Sequence, residues 1–229
     1  MLFRYMKRSL PMVEIIKDKT DPRCLEVYKL RYDVVVNQHK MKINPAHIYN
    51  GNMVCDEHDL SDATTHYALR NSHTGKLVSA IRTVDANKTK IDMEKYNWFR
   101  LDDSVKKDGV VEWSRLVSDA SVRKTNAALL LYIQSCLTSR EEGINNVTFM
   151  VDSRATQLMK YYKRWTICHE LSNGPVNCDE YEPGRKSHVM LMPMGKPNTF
   201  DRLKFDSCVW FPITLGVSFM KDYNRKTSK

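Results

Sequence analysis

The sequence predicts an α/β fold with a mixed central sheet flanked by helices. Three observations carry that expectation. Apolar patterning along the 229 residues alternates in the order β-α-β-β-β-α-β-α-β-β, which suits one sheet with helices on its faces. A composition of 42% hydrophobic and 28% charged residues is that of a soluble globular protein. The length fits one domain spanning residues 1–229, with residues 196–229 a C-terminal extension packed on it.

The elements follow in order. Met12 to Ile16 is short, apolar and β-compatible. Asp21-Pro22 offers a helix N-cap followed by proline at the first helical position. Cys24, Val27, Tyr28, Arg31, Val34 and Val35 then fall on one stripe at i, i+3, i+4, i+7 spacing, with Arg31 the charged exception. The β-branched run Val34-Val35-Val36 crowds the preceding turn, so the helix should end there. Asn37 to Asp62, holding Pro45 and Gly51, reads as irregular. Thr65 to Arg70 and Leu77 to Val84 read as strands joined through the turn-like Asn71-Ser72-His73-Thr74-Gly75.

Asp85 to Gly109 is a polar connection broken by Tyr96, Trp98, Phe99 and Leu101, with room for one short helix. Val110 to Val117 is a strand. Lys124 to Ser139 is a helix that packs through Ala127, Leu130, Leu131 and Leu137 and ends before Gly143. Val147 to Val151, Trp165 to Glu170 and His188 to Met192 read as further strands, and Ser153 to Lys163 as a serine-capped helix. Val209 to Ile213 should dock the extension onto the domain.

Composition bounds the function. Six cysteines without a C-x-x-C pair argue against a zinc site or a disulfide framework, and they read as reduced structural thiols. No apolar run approaches the roughly 20 residues of a membrane span. The basic start lacks a following apolar stretch with a small-residue cleavage site, so the expected compartment is the cytoplasm. A net charge of +9 attracts acidic partners without naming one. The basic residues are dispersed, so a nucleic-acid partner is not expected; the terminal Lys221, Arg225, Lys226 and Lys229 read as a solvated tail.

Three constellations could carry chemistry. Asp56-Glu57-His58-Asp59 is either a solvated turn or a supply of charge, and as a metal site it lacks a second ligand cluster. Glu112-Trp113-Ser114-Arg115 sets an acid and a base inside an apolar strand, where each needs a counter-charge. Arg31, Asp56, Asp59 and Arg82 are the available partners, so a buried network is expected, as a fold-stabilising core or as a site. Strict alternation would put Glu112 and Arg115 on opposite faces unless a bulge intervenes. Last, Leu116 to Asn126 runs from strand through a basic turn into a helix; its backbone N–H groups, with Arg123 and Lys124, suit a phosphate.

Taken in order, Tyr28-Lys29-Leu30-Arg31, the acidic pair Asp56 and Asp59, Gly75 to Arg82, Glu112-x-Ser114-Arg115, Val151-Asp152-Ser153-Arg154, Trp165 and Leu191-Met192-Pro193 resemble the acyl-homoserine lactone synthases. The resemblance spans Met12 to Gly195 and implies the acetyltransferase-like (GNAT-type) fold. It implies transfer of an acyl chain from acyl carrier protein, or from acyl-CoA, to the amine of S-adenosylmethionine, both as substrates and with no permanently bound cofactor. By position, Arg31, Asp56, Asp59, Arg82, Glu112 and Arg115 would organise the pocket, with Glu112 as base. Where the family pattern expects an aromatic residue and a tryptophan, this chain has Val35 and Met41. N-acyl amino acid synthases, with a free amino acid as acceptor, share the same motifs and are the alternative.

On that reading Glu112 takes the proton of the attacking amine, with Ser114 and Arg115 beside it. Backbone N–H groups around Leu116 and Val117 meet the oxyanion if a bulge splays the strand. Trp113, Leu130 and Met150 line the acyl chain. Arg123 and Lys124 meet the carrier's phosphate. A non-enzymatic binding module and a nucleic-acid binder rank below the enzyme, because neither requires Glu112-x-Ser114-Arg115.

Overall fold

Every second residue of a strand faces the same way, and here both faces of the central strands are apolar, so the sheet must be covered on both sides. The computed structural model describes residues 13–123, 125, 127–156, 159–160, 168–178 and 184–195. Its main sheet is built from β1 (Val13–Ile16), β4 (Thr64–Arg70), β5 (Leu77–Asp85), β6 (Val110–Ser118), β7 (Asn146–Asp152), β8 (His169–Glu170), β9 (Val176–Asn177) and β10 (Lys186–Pro193). The spatial order is β1-β4-β5-β6-β7-β10-β8, with β9 paired to β10. Neighbours run antiparallel except β6 and β7, which pair in parallel from Val110–Asn146 to Trp113–Phe149. A parallel pair needs a crossover, and α4 (Ala127–Glu141) supplies it.

On one face α4 covers Tyr67, Leu69, Ile81, Trp113 and Phe149. On the other, α1 (Arg23–Tyr32) lays Cys24, Val27 and Tyr28 on Ala68, Ala80 and Val117. Alternation along β4 and β5 thus decides which helix each side chain meets. Burying one such leucine-sized side chain contributes on the order of 2 kcal/mol, so these two layers dominate the stability.

The stripe expected on the first helix is buried at Cys24, Val27, Tyr28, Arg31 and Val34. The α-helix ends at Tyr32, one turn before the expected stop, and a π-helical turn over Asp33–Gln38 takes up the β-branched run. Asp21 serves by accepting the N–H of Arg23 at 2.9 Å, while Pro22 holds the cap position. The stretch Asn37–Asp62 is not wholly irregular: β2 (Ile48–Tyr49) and β3 (Met53–Val54) form a small hairpin. Its Asn50-Gly51 supplies two consecutive positive φ angles, +48° and +73°, which side chains other than Gly and Asn resist.

The connection before β6 holds two short helices, α2 (Asp92–Lys95) and α3 (Asp103–Lys107), where one was expected. It is pinned by Ile91, Met93 and Leu101, which pack with Val84, Val110 and Val189 into a third apolar cluster. α4 starts at Ala127 and runs to Glu141, with Gly143 at φ +82° just beyond. Trp165, residues 157–158 and 161–163 of the helix expected over Ser153–Lys163, and the extension 196–229 lie outside the described residues. No helix among those described is long and apolar enough to cross a membrane.

Candidate functional site

The site begins with one extra residue in β6. Ser114 pairs with Arg82 and Val117 with Ala80, so Arg115 and Leu116 stand opposite Ile81 alone. This is a β-bulge, and Arg115 sits at φ +55°, a left-handed conformation that a non-glycine residue adopts at a cost of roughly 1 kcal/mol or more. The bulge breaks the alternation that would have separated Glu112 from Arg115. It also ends the pairing of β6 with β7 at Trp113, although both strands continue.

A cavity of about 370 Å³ occupies the region where the strands separate. That is the size of a small-molecule site. Glu112, Ser114 and Arg115 line it from β6 together with Leu116 and Val117, and Phe149, Met150 and Val151 line it from β7. Val35, Met41, Lys42, Ile43, Asn44 and His47 cover it from the segment after α1. Trp113 stacks on Tyr132 at 4.4 Å between ring centroids and forms an aromatic wall.

Beside the cavity lies the charge network that the sequence demands. Arg31 donates to Asp59 Oδ1 at 2.8 Å. Arg82, fully buried, donates to Asp56 Oδ1 at 2.5 Å, to Asp59 Oδ1 at 3.1 Å and to Asp92 Oδ2 at 3.0 Å. Its Nε donates to the Ser114 hydroxyl at 2.9 Å. Arg115 Nη2 reaches Asp56 Oδ2 at 2.7 Å. Three guanidiniums therefore meet three carboxylates, which satisfies the rule that buried charge must be paired.

The Asp-Glu-His-Asp turn makes this possible by capping itself. Asp56 accepts the N–H groups of His58 and Asp59, and Asp59 Oδ2 accepts the N–H of Asp56 at 2.9 Å. The capping box locks both carboxylates in place before any arginine arrives.

These contacts set the proton affinities. Burial pushes the Asp56 carboxyl up, but Arg82 and Arg115 outweigh it and hold it far below its ordinary value. For Asp59 burial is likewise overcome by Arg31 and Arg82, leaving it lowered to about 2. Burial, then Arg31, drives His66 well below its usual value, so the ring is neutral and takes Arg31 Nη2 on Nδ1 at 3.3 Å. Glu112 moves the opposite way: burial first and the charge of Asp92 second raise it to about 8. Its Oε2 accepts the backbone N–H of Asp92 at 2.8 Å.

The structure thus brings Arg31, Asp56, Asp59, Arg82, Glu112, Trp113, Ser114 and Arg115 together at the cavity or its wall. Arg123 stands apart: exposed, it donates to the Ser118 carbonyl at 3.2 Å and pairs with Gln38 instead of lining the cavity. Lys124 lies outside the described residues. Leu130 packs on the α4 cluster and is not part of the cavity wall. The reading of the sequence missed Asp92 and His66, and it gave His58 no role beyond membership of the Asp-Glu-His-Asp turn. An acid flanked by Ile91 and Met93 in an otherwise polar stretch was the available signal for Asp92. His66 carried none.

No family model matches the chain, and no curated protein matches its sequence. Solved structures do match. A CoA-dependent acyl-homoserine lactone synthase, BjaI, bound to S-adenosylmethionine and isopentyl-CoA, superposes with a TM-score of 0.61 at 14% identity, covering 86% of each chain. TofI, in a ternary complex with an inhibitor and MTA, gives 0.59 at 15% identity over 80% of this chain and 91% of its own. FeeM, an N-acyl amino acid synthase from uncultured soil microbes, gives 0.55 at 9% identity over 79% and 94%. At such identities the likeness is one of architecture, and it shows that this chain has the acetyltransferase-like α/β fold.

Proposed function

We propose that the chain is an N-acyltransferase that moves an acyl group from a thioester, on acyl carrier protein or CoA, to an amine, with S-adenosylmethionine as acceptor and an acyl-homoserine lactone as product. One observation carries the reading: a buried carboxyl of raised proton affinity, Glu112, lines a cavity that opens where β6 leaves β7. A general base works best with a pKa near the working pH, and about 8 is close to it. The likeness to BjaI and FeeM supports acyl transfer to nitrogen.

In the proposed step the acceptor amine attacks the thioester carbonyl and gives a proton to Glu112. The tetrahedral oxyanion is met by the backbone around Leu116 and Val117, which line the cavity at the bulge. The thioester C–S bond then breaks and the thiolate leaves with a proton returned from Glu112. For the lactone product the carboxylate of the acylated S-adenosylmethionine then attacks its own γ-carbon, breaking the sulfonium C–S bond and releasing methylthioadenosine. A cationic acceptor entering beside Glu112 would favour its ionised form and so prime the base. Arg31, Arg82, Asp56, Asp59 and Arg115 hold the wall rigid, and Trp113 and Phe149 receive the acyl chain. Arg123, exposed outside the cavity, would meet the phosphate of the donor, and Lys124 would join it by its place in the sequence.

The cover favours a second reading. At the two positions where the family resemblance expects an aromatic residue and a tryptophan it carries Val35 and Met41, although His47 and Trp98 also line the cavity, so a free amino acid is the alternative acceptor. Mass spectrometry of lipid-soluble products from bacteria expressing the chain or its Glu112→Gln variant separates the two. An acyl-homoserine lactone lost in the variant supports the first reading, and an N-acyl amino acid supports the second. Turnover by Glu112→Gln within a factor of about ten of wild type, where loss of a general base should cost roughly 10²–10⁴-fold, removes Glu112 from the mechanism.

A further inference from the structure

We infer that Asp92 is a positioning residue for Glu112, its main chain holding the carboxyl and its side chain bringing a second acid beside it. The inference rests on reading Glu112 as the base. The start of α2 is turned toward β6 so that the Asp92 N–H meets Glu112 Oε2 at 2.8 Å. A backbone donor cannot rotate away, so the carboxyl is fixed relative to the cavity that both residues line.

The side chain of Asp92 is itself held by Arg82 Nη2 at 3.0 Å, and His58 Nε2 lies 3.3 Å from its other oxygen. Burial lowers the pKa of His58, so that ring is neutral. The groups facing Glu112 are then few. Asp92 and the Met93 amide come from α2, Arg82 comes from β5, and Thr148, which does not titrate, lies opposite on β7. Burial and Asp92 raise the proton affinity of Glu112, while Arg82 and the two amides lower it. Among these the charge of Asp92 is the one that a substitution can remove without altering the backbone bond.

The test needs no substrate. In ¹⁵N-labelled wild-type protein the Asp92 amide proton should shift as Glu112 ionises, with a midpoint well above the ordinary glutamate range. That titration should vanish in Glu112→Gln. In Asp92→Asn, which keeps the amide and the reach to Arg82, the midpoint should fall by about one pH unit or more. Asp92→Glu, which restores the charge, should bring it back. An Asp92 amide that does not titrate in wild type overturns the positioning, whether or not any variant folds. A midpoint unchanged in Asp92→Asn overturns the role of the charge. Full turnover in Glu112→Gln would instead remove the base, a failure of the underlying reading that the amide titration by itself would not produce.

Discussion

A guanidinium buried to the degree of Arg82 survives only because three carboxylates surround it, and each of them depends on the others in turn. Removing one partner strands charge in a medium that cannot solvate it, at a cost of roughly 3–5 kcal/mol. Asp59→Asn should therefore lower the stability measured by urea denaturation by about 3 kcal/mol. Arg70→Ala, whose pairs with Glu14 and Glu26 are partly exposed, should cost about 1 kcal/mol or less. Equal losses would mean that the network contributes no more than a surface pair.

Glu112 makes the opposite pH statement to its neighbours. Its folded pKa of about 8 lies above the ordinary 4.5, so between those values the folded state binds more protons than the unfolded one, and stability falls as pH rises. Glu112→Gln removes that dependence, so it should gain stability relative to wild type from about pH 5 to 8, measured as melting temperature. Asp56 and Asp59 are held below 3.8, so their contribution is present above that value and is lost as pH drops toward about 2. A melting-temperature gap between wild type and Glu112→Gln that does not change from pH 5 to 8 would contradict the raised proton affinity.

At the scale of elements, the bulge and the tight entry to β6 do the positioning. Gly109 precedes β6 at φ +78°, and a Cβ there would approach Ile144 Cα to 3.0 Å, where the backbone cannot give way cheaply. Gly109→Ala should destabilise by roughly 1–3 kcal/mol through positive φ and contact together, whereas the same change at Gly143, also at positive φ but open, should cost less. Unfolding curves for the two variants compare them directly. The contrast matters because Gly109 and the adjoining turn after α4 fix where β6 and β7 start in parallel, and hence where they can separate.

At the scale of the whole molecule, the proposed function rests on a sheet that is covered on both faces yet open at one seam. Helices α1 and α4 cover the faces, and the only parallel pair among the described strands supplies the gap. Leu116 sits at that gap, lining the cavity while 38% exposed, so a larger side chain there should narrow the mouth without disturbing the core. Leu116→Trp should keep the melting temperature within a few degrees and raise KM for a long-chain acyl thioester about tenfold or more. An unchanged KM would place the acyl chain elsewhere.

Much of this was decided by local pattern. The stripe from Cys24 to Val34, the strands at Thr64–Arg70, Leu77–Asp85 and Val110–Ser118, and the glycine stop after α4 all follow from periodicity and capping, which act over a few residues. The demand that Arg31, Arg82 and Arg115 find Asp56 and Asp59 was legible too, because charge in an apolar strand requires a partner wherever it lies in the chain. Glu112, expected in the same network, instead meets the Asp92 backbone and leaves the third place among the carboxylates to Asp92. The hairpin at Asn50-Gly51 was not read, because its two-residue flanking strands are too short to show an alternating pattern.

What the sequence determined by itself, then, was which segments form elements and which charges must be buried together. Three things were left to the tertiary structure: the extra residue opposite Ile81 that brings Arg115 to the Glu112 side, the entry of Asp92 into the network from a connection that reads as loop, and the division of Glu112 from Asp56 and Asp59 in proton affinity. Each depends on distances of about 3 Å between residues 10 to 59 positions apart, set by how strands register and helices dock. A carboxyl group has the same local chemistry in all four positions, and only its packed surroundings decide whether it holds a proton.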